Sequence, residues 1–279
     1  MTFPYNHVLL IGATSGIGRA IADRLIQAEI KVTAVGRRKD RLDEFVGKHG
    51  KEKANSMVYD VSVIDRIPRF AADATAQHPD IDCVFLNHGT QRKYKLTNPK
   101  DGDLVDFRAE MDVNFTSYVA LTQAFTPFLL SKSGSASFIL SVHNLGVNRF
   151  IEILIFFDST TSLLALVPAP RIPAYSAAKA ALNAFIYCLR DQLRESNVGV
   201  IELAPPLVST ELHDYMGIEK GRSMGMPAEQ YAEYAIQALQ RGSDEVLGGS
   251  VQPIDNFQEL VDKRRKLFNE FAPMLRDVE

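Results

Sequence analysis

Tyr175 and Lys179 are the pair in this sequence whose residue types and spacing are best suited to acid-base chemistry. They stand in the run Tyr175-Ser-Ala-Ala-Lys179, which alanines and Leu182 continue with a helical composition. On a helix, residues four apart lie on one face, so the phenol and the ammonium can point at the same spot. A free phenol has a pKa of about 10, and a nearby fixed cation favours its ionised form. The pair therefore predicts proton transfer in a pocket, unless both are ordinary surface residues.

A glycine-rich turn near the start of the sequence could bind a phosphate. The apolar run at 7–11 predicts a buried parallel strand, and Gly12-Ala-Thr-Ser-Gly16-Ile-Gly18 follows it before a helical pattern. Backbone N–H groups at such a helix start can receive a phosphate, and glycine allows the backbone to approach it closely. The order of strand, turn and helix therefore predicts a nucleotide-binding unit.

The second predicted strand ends in Gly36-Arg37-Arg38 and carries no acidic residue there. An acid at this place would bind a ribose 2′-hydroxyl, whereas arginine suits a 2′-phosphate. We therefore predict NADPH in preference to NADH, with Arg37 and Arg38 binding the phosphate. The alternative is that both are solvated arginines at the start of a helix.

Strand-like and helical segments alternate along the chain, and polar residues follow several of the strands. Asp60 and Val61 come directly after one apolar run, and Asn87-His88-Gly89 follows the next. Regular alternation predicts an α/β fold, a doubly wound parallel sheet of Rossmann-like type with helices on both faces. Ligands of such sheets bind at the carboxyl ends of the strands, where Gly12, Asp60 and Asn87 all fall.

The whole chain, residues 1–279, is predicted to form one domain without repeats or linkers. Residues 103–130 carry apolar side chains at the spacing of a long helix, with Asn114 inside it. Residues 211–226 lack clear periodicity, as expected of a mobile flap over a site. Residues 256–275 predict an amphipathic helix that docks on the domain or on a partner subunit.

The composition of the sequence argues against several classes of function. The net charge of -3 and the pI near 6.1 give no electrostatic footprint for nucleic acid. The two cysteines are far apart and form neither a disulfide framework nor a metal set. The N-terminus lacks a leader pattern, and no apolar run approaches membrane-spanning length. We expect a soluble, cytoplasmic protein without a metal or a membrane partner.

Taken together, these motifs resemble the single-domain branch of the short-chain dehydrogenase/reductase family over residues 7–215. The glycine turn, the Asp60-Val61 pair, the Asn87-x-Gly89 turn, Asn114, a serine before Tyr175-x3-Lys179 and a Pro205-to-Thr210 segment occur in the family's order. The resemblance implies that a dinucleotide binds to these motifs. The glycine turn would hold the pyrophosphate through Gly12, Ser15, Gly16 and Ile17, with Gly18 in the same turn, and the adenosine phosphate would lie at Arg37 and Arg38. The adenine would lie at Asp60 and Val61, the ribose at Asn87 and Gly89, and the nicotinamide at Pro205, Val208 and Thr210.

The same resemblance implies a carbonyl reductase, working on a small to medium ketone or aldehyde or on the corresponding alcohol. Tyr175 would be the general acid, and Lys179 would lower its pKa and bind the nicotinamide ribose. Asn114 would order a water that relays protons from Lys179, and a serine would hold the substrate carbonyl. Pairing through the long helices would give a homodimer or a homotetramer.

Two serines fit the family's catalytic position, Ser141 and Ser162. Ser162 lies 13 residues before Tyr175, close to the family spacing, whereas Ser141 fits when the count starts from Asn114. Both spacings are explained by an insertion of about 21 residues, at about 142–162. Either the run ending at Ser141 keeps its place in the sheet, or the run at 151–157 replaces it. We favour Ser162, because its tether to Tyr175 is shorter.

A rival interpretation belongs to a different functional class. If the insertion crowds the site, the protein would bind a dinucleotide without turnover and act as a sensor or scaffold. The presence of Tyr175, Lys179 and Asn114 favours the enzyme.

Overall fold

The protein is described by a computed structural model, which covers residues 3–95, 97–98, 102–142, 168–248 and 255–276, the last helix without its side chains at 255–258 and 275–276. Within these ranges the chain forms a parallel sheet with helices on both faces, so the predicted fold class is confirmed. The strands are β1 His7–Ile11, β2 Lys31–Gly36, β3 Ala54–Val58, β4 Cys83–Leu86, β5 Ala136–Ser141, β6 Val198–Ala204, β7 Val208–Ser209, β8 Met226–Pro227 and β9 Glu245–Leu247.

The main sheet has seven strands in the order β3-β2-β1-β4-β5-β6-β9, and every pairing is parallel. Ile11, the last residue of β1, pairs with Val35 of β2 on one side and with Leu86 of β4 on the other. The order of strands reverses between β1 and β4, and this switch point opens a crevice at their carboxyl ends. Strands β7 and β8 pair separately.

The helices cover both faces of the sheet and divide the core in two. They are α1 Gly16–Gln27, α2 Lys39–His49, α3 Ile67–Gln77, α4 Leu104–Met111, α5 Ser117–Leu130, α6 Pro173–Gln192, α7 Ile218–Arg222, α8 Ala228–Gln240 and α9 Asp255–Arg276. One apolar cluster joins the sheet to α1, α2 and α8, and the other joins it to α3, α5 and α6. Strand β1 is buried along its whole length, as expected of a central parallel strand.

The long helix predicted at 103–130 contains a wide turn at its centre. Helix α4 runs into a π-helical segment, Asp112–Thr116, which continues into α5. Asn114 is the buried residue of that segment. A π turn inserts one residue into the helical repeat, and such turns occur frequently at functional sites. The apolar spacing of the sequence identified the helix but could not show this local widening.

The predicted mobile flap at 211–226 contains regular structure. Residues Glu211–Met216 form a 3₁₀ helix, α7 follows, and β8 then pairs with β7. Each element is too short to produce a sequence period, which explains why none was found. The segment is held by tertiary contacts: Arg222 donates to Asp214 at 2.8 Å, and Gly221 lies against the backbone of His213.

Strand β5 is the first of the two competing runs, and it ends at Ser141. It pairs with β4 on one side and with β6 on the other, so the run ending at Ser141 keeps its place in the sheet. Ser162, the serine that we favoured, and the run at 151–157 lie outside the described residues. The insertion and the choice of serine therefore stay predictions, although Ser141 now has a defined place in the fold.

Helix α9 has the bounds expected of the predicted C-terminal helix. Val261 and Ala272 are buried, whereas Leu267 and Phe271 remain largely exposed on this chain. Across the described ranges, no helix is both long enough and apolar enough to cross a membrane. The predicted oligomer is not tested by this single chain.

Candidate active site

A cleft of about 680 Å³ opens at the switch point between β1 and β4. The glycine turn, the end of β2, the turn after β4, helix α4 and the 3₁₀ helix at 211–216 line it. Eleven residues assigned from the sequence line this cleft: Gly12, Ser15, Gly16, Ile17, Arg37, Arg38, Asp60, Val61, Asn87, Gly89 and Thr210. Segments distant in sequence are therefore brought to one site, as the strand-end argument predicts.

The glycine turn is compact enough to exclude side chains. Gly12 has φ +91°, and a Cβ there would lie 2.7 Å from the backbone nitrogen of His88. At Gly18 a Cβ would lie 2.1 Å from the carbonyl oxygen of Gly12, so this glycine allows α1 to pack against the turn. Gly18 does not line the cleft, but it allows the start of α1 to lie close to the turn.

Arg38 lies between the glycine turn and the segment after β7. Its guanidinium donates to Ser15 Oγ at 2.7 Å, to Thr14 Oγ1 at 2.9 Å and to Glu211 at 2.5 Å. Arg41 donates to the other oxygen of the same Glu211 carboxylate at 2.6 Å. Partial burial acts to raise the Glu211 pKa, but hydrogen bonds from the two arginines lower it to about 2. A carboxylate is thus bound by two arginines beside the glycine turn.

Arg37 and the residues after β3 form the outer edge of the cleft. Arg37 is 72% exposed, and its guanidinium lies 3.7 Å from the Asp60 carboxylate. Asp60 in turn accepts hydrogen bonds from the backbone and the hydroxyl of Ser62. Val61 is buried and faces the cleft. Arg37 is therefore free to reorient toward a ligand, whereas Arg38 is already engaged.

Asn114 holds the turn that follows β4. Its amide nitrogen donates to the Thr90 carbonyl at 2.8 Å, and its side-chain oxygen accepts from the Thr90 N–H at 3.0 Å. The side chain is fully buried and does not line the cleft. In this structure Asn114 therefore positions the segment that begins at Asn87. The π-helical segment that carries Asn114 places its side chain beside Thr90.

His88, which stands beside Asn87, is buried and neutral. The Ser117 hydroxyl donates to the Val113 carbonyl, so it accepts the hydrogen bond from His88 Nε2 at 2.7 Å. Burial and the charge of Lys179 lower the His88 pKa to about 3. Nδ1 is then an acceptor, and it has no partner among the described residues.

Tyr175 and Lys179 share one face of α6, as their spacing predicts. Both are fully buried, and Lys179 Nζ lies 5.5 Å from the centre of the Tyr175 ring. The Lys179 ammonium donates to the Ser141 carbonyl at 3.3 Å. The Tyr175 hydroxyl has no hydrogen-bond partner among the described residues. The structure therefore brings Tyr175, Lys179 and Ser141 together at the end of β5.

Burial dominates the proton affinities of this pair. It raises the Tyr175 pKa well above 10, with smaller contributions from Tyr118, Glu110 and Tyr215, and it lowers the Lys179 pKa to about 7. The expectation that Lys179 lowers the Tyr175 pKa is not met in this structure. The reason is desolvation, which disfavours both the phenolate and the ammonium in a dry environment.

The acid-base pair on α6 is not part of the lining of this cleft. Tyr175, Lys179, Ser141 and Asn114 do not line the cleft, and neither do Pro205 and Val208. Tyr175 packs against Tyr215, a partly exposed residue of the 3₁₀ helix that does line it. Thr210, by contrast, lies directly against Gly16. The segment at 210–216 thus contacts both the cleft, through Thr210 and Tyr215, and the apolar cluster that contains Tyr175.

Several residues that line the cleft were not assigned from the sequence, among them Gln91, Glu110 and Glu211. Glu110 lies one helical turn before Asn114, and Gln91 follows the Asn87 turn by a few residues. The sequence shows these positions, but it does not indicate a function for them, because single polar residues on a helix or a loop are usually solvated. Only the fold shows that they are enclosed.

The sequence model described as short chain dehydrogenase matches residues 6–151 and 159–220 of this chain. The chain therefore belongs to the short-chain dehydrogenase family, a family of oxidoreductases. The break in the match, residues 152–158, falls inside the segment where we expect an insertion.

Known relatives agree with this assignment. The "Uncharacterized oxidoreductase DltE" of Bacillus subtilis (strain 168) is 31% identical over 255 residues, which cover 90% of this chain and 91% of that protein. A short-chain dehydrogenase from Burkholderia cenocepacia J2315, solved in complex with NADP, has a TM-score of 0.71 at 24% identity and covers 97% of this chain and 98% of its own. One from Burkholderia phymatum, solved with NAD, has a TM-score of 0.74 at 17% identity and covers 100% and 98%. The two structures share the fold of this chain.

Proposed function

We propose that this protein is an NADPH-dependent reductase of ketones or aldehydes, with Tyr175 as its general acid. The observation that carries the proposal is the Tyr175 hydroxyl, which is buried and unpartnered among the described residues beside Lys179 and the end of β5. A buried hydroxyl without a partner is costly, so a ligand that accepts its hydrogen bond would be stabilised there. A carbonyl oxygen is such an acceptor.

The residues of the cleft fit a dinucleotide. The Ser15 hydroxyl does not cap α1, which leaves the start of that helix to receive a pyrophosphate. Asn87 Oδ1 and His88 Nδ1 are buried acceptors without partners in the described chain, which suits the hydroxyls of a ribose. Two relatives of this fold are described with NADP and with NAD, so they support a nicotinamide dinucleotide without deciding between the two.

The preference for NADPH rests on the arginines. Arg38 and Arg41 already bind one carboxylate, that of Glu211, so their geometry accepts an anion. Arg37 is exposed at the rim, where it could turn toward a 2′-phosphate. NADPH would supply the hydride to the carbonyl carbon.

The chain's own groups would then handle the proton. Tyr175 would donate its phenolic proton to the oxygen that becomes negatively charged as hydride arrives, and this stabilises the transition state. Burial raises the pKa of Tyr175, and Lys179, which lies on the same face of α6, would when protonated stabilise the phenolate that remains after the proton is donated. Ser141 or Ser162 would orient the carbonyl, and Asn114 holds the turn on which the substrate side of the cleft is built.

Access to Tyr175 requires a movement of the segment at 210–216. Tyr215 packs against Tyr175 and is itself only partly buried. The 3₁₀ helix has only six residues and is held by tertiary contacts such as the ion pairs of Glu211 and Asp214, so its movement would break those contacts. We propose that substrate enters where Tyr215 now lies.

The second candidate is a dinucleotide-binding protein without turnover. It is favoured by one observation, namely that Tyr175 and Lys179 are fully buried and do not line the cleft. A predicted insertion that held them there permanently would leave binding intact and remove catalysis.

NADPH oxidation with a panel of ketones and aldehydes separates the two candidates. The parent chain is compared with Tyr175→Phe and with a deletion of residues 142–162, and NADPH binding is measured in parallel by fluorescence. Turnover in the parent that is lost in Tyr175→Phe supports the reductase. Binding without turnover in the parent contradicts it, and turnover gained only on deletion identifies the insertion as the cause.

A further inference from the structure

Glu110 is a buried carboxyl group in the wall of the cleft. It is only 3% exposed, it lies near the end of α4, and it lines the cleft. Oε1 has no hydrogen-bond partner among the described residues, while the carboxyl group accepts one hydrogen bond from the backbone N–H of Arg92. One carboxyl oxygen of this lining residue is therefore without a described hydrogen-bond partner.

The charge of Glu110 is only weakly compensated: burial acts most strongly and raises the pKa of the carboxyl group, whereas the nearby Arg92 cation acts to lower it. In the described ranges no ion pair includes Glu110, and the Arg92 guanidinium instead binds Asp106 at 2.6 Å. Glu202, the other buried glutamate with a raised pKa, also has one oxygen without a described hydrogen-bond partner, but Asn183 donates to its other oxygen at 2.9 Å, Arg190 lies 3.9 Å away, and it does not line the cleft. Burial raises the pKa of each carboxyl to about 7. Glu110 is thus distinguished from Glu202 by the lack of an ion pair among the described residues and by its place in the wall of the cleft.

The neighbours of Glu110 place it beside the reacting end of the cleft. Its charge is felt by both Tyr175 and Tyr215, whose pKa values it raises. The segment from Gly89 to Arg92 leads from the expected ribose side toward Glu110, and it carries Gln91. Gln91 Nε2 is a second buried group without a described partner, since its Oε1 accepts from His213. An acceptor and a donor therefore border the same space.

A buried acceptor without a partner is costly, and the group that removes this cost must donate a hydrogen bond. When Glu110 is ionised it can only accept hydrogen bonds, so the carbonyl oxygen that receives the proton, itself an acceptor, cannot satisfy it. We propose that Glu110 binds a hydrogen-bond-donating substituent of the carbonyl substrate, a hydroxyl or an ammonium group, and thereby selects hydroxy- or amino-carbonyl compounds over apolar ones. This inference rests on the proposed function, because it names the class of substrate that Tyr175 would reduce.

Three ketones of nearly equal size test the proposal: hydroxyacetone, aminoacetone and 2-butanone. They differ in whether the substituent beside the carbonyl carries a hydroxyl, an ammonium or a methyl group. Dissociation constants are measured by calorimetry on the Tyr175→Phe protein, with and without saturating NADPH, so that the result does not depend on turnover. The pair 4-hydroxy-2-butanone and 2-pentanone repeats the comparison with one more carbon between the groups.

Glu110 is then replaced in the same background. Glu110→Leu removes the acceptor, Glu110→Gln keeps an acceptor oxygen but removes the charge, and Glu202→Gln is the matched control in a buried carboxyl outside the cleft. We expect at least one donor-bearing ketone to bind about 10- to 100-fold more tightly than its apolar counterpart, the range of a hydrogen bond to a charged group. Glu110→Leu should abolish this preference, and Glu202→Gln should preserve it.

The variants also separate the two donor groups. A preference for hydroxyacetone that survives in Glu110→Gln identifies a hydroxyl, whereas a preference for aminoacetone that disappears there identifies an ammonium. Equal binding within every matched pair, or a preference unchanged by Glu110→Leu, would overturn the proposal. An intact binding preference together with no NADPH oxidation by the parent protein would count against the reductase function alone.

Discussion

Lys179 Nζ lies 3.3 Å from the carbonyl oxygen of Ser141, and this contact joins helix α6 to the end of strand β5. The Lys179 side chain is fully buried, so the hydrogen bond forms in a dry environment where it is strong. It fixes the helix that carries Tyr175 to the centre of the sheet. The acid-base pair is thus positioned by the backbone of β5, whichever serine approaches the substrate.

Replacing Tyr175 with Phe should remove activity without harming the fold. A general acid contributes about 10²- to 10⁴-fold to the rate, and we expect a loss in this range. The free energy of unfolding should stay equal or rise by about 1 kcal/mol, because the lost hydroxyl is buried and unpartnered among the described residues. Carbonyl reduction and urea denaturation measure the two effects.

Tyr231→Phe is the matched control for this substitution. Its hydroxyl is also buried and without a described partner, but it lies in the core under α8 and does not line the cleft. The two variants should have similar stability, and only Tyr175→Phe should lose activity. Equal activity losses would assign the effect to packing and count against the role of Tyr175 as an acid.

Lys179 predicts a dependence of stability on pH. Its pKa is about 10.5 in the unfolded chain and about 7 in the folded protein. Between these values the unfolded state binds more protons, so the free energy of unfolding should rise as pH increases from about 7 to 10. Lys179→Met should lack this rise, which we expect to be on the order of 3 kcal/mol.

Urea denaturation of both proteins at several pH values measures this difference. Tyrosines and other groups titrate in parent and variant alike, so their contributions cancel in the comparison. Parallel stability curves for the parent and Lys179→Met would contradict the buried, partly deprotonated lysine.

Glu211 should compete with an anionic ligand for the arginines. Its carboxylate binds both Arg38 and Arg41, so Glu211→Gln should leave these cations available to a 2′-phosphate. We expect NADPH to bind about 3- to 10-fold more tightly and NADH to be unaffected, with a smaller gain at high salt.

Asp214→Asn is the control, because Asp214 binds Arg222 in the same segment and does not contact Arg38. Fluorescence titration with both dinucleotides measures the effect. A change of the same size for NADH would show that Glu211 acts on the shape of the segment and does not compete for the phosphate site.

Asn114→Ala should destabilise the turn after β4. The substitution leaves the N–H and the carbonyl of Thr90 without the two hydrogen bonds that Asn114 provides, at a cost of about 2 to 4 kcal/mol. We expect weaker NADPH binding as well, because Asn87 and Gly89 precede Thr90 in the same turn. Asn55→Ala, on strand β3 outside the cleft, is a control for thermal and urea stability. An Asn114→Ala protein as stable as the parent would contradict this positioning role.

The sequence was sufficient for the fold class, and it identified eleven residues that the structure brings together in one cleft. Glycine turns and polar residues at strand ends, such as Gly12, Asp60 and Asn87, meet requirements of the local backbone. Such requirements produce short motifs that can be recognised in the sequence. Their convergence follows from parallel strand topology alone. Eleven of the assigned residues accordingly line one cleft.

What could not be predicted depends on burial and on distant contacts. The spacing of Tyr175 and Lys179 identified their shared face, but their pKa values are set by desolvation, which no short motif encodes. Glu110 is a similar case, because a single glutamate on a predicted helix gave no sign that it would be buried. The pairing of Glu211 with Arg38 joins residues 173 positions apart, and only the assembled fold brings them together.

Transfer of deuterium from NADPH is the most direct test of the proposed reaction. NADPH labelled at the nicotinamide C4, on each face in turn, is incubated with the parent protein and the carbonyl panel, and products are analysed by mass spectrometry. The proposal predicts one deuterium on the former carbonyl carbon from one of the two labelled forms, and at least about 100-fold less labelled product with Tyr175→Phe. NADPH binding without labelled product, or equal labelling by Tyr175→Phe, would contradict it.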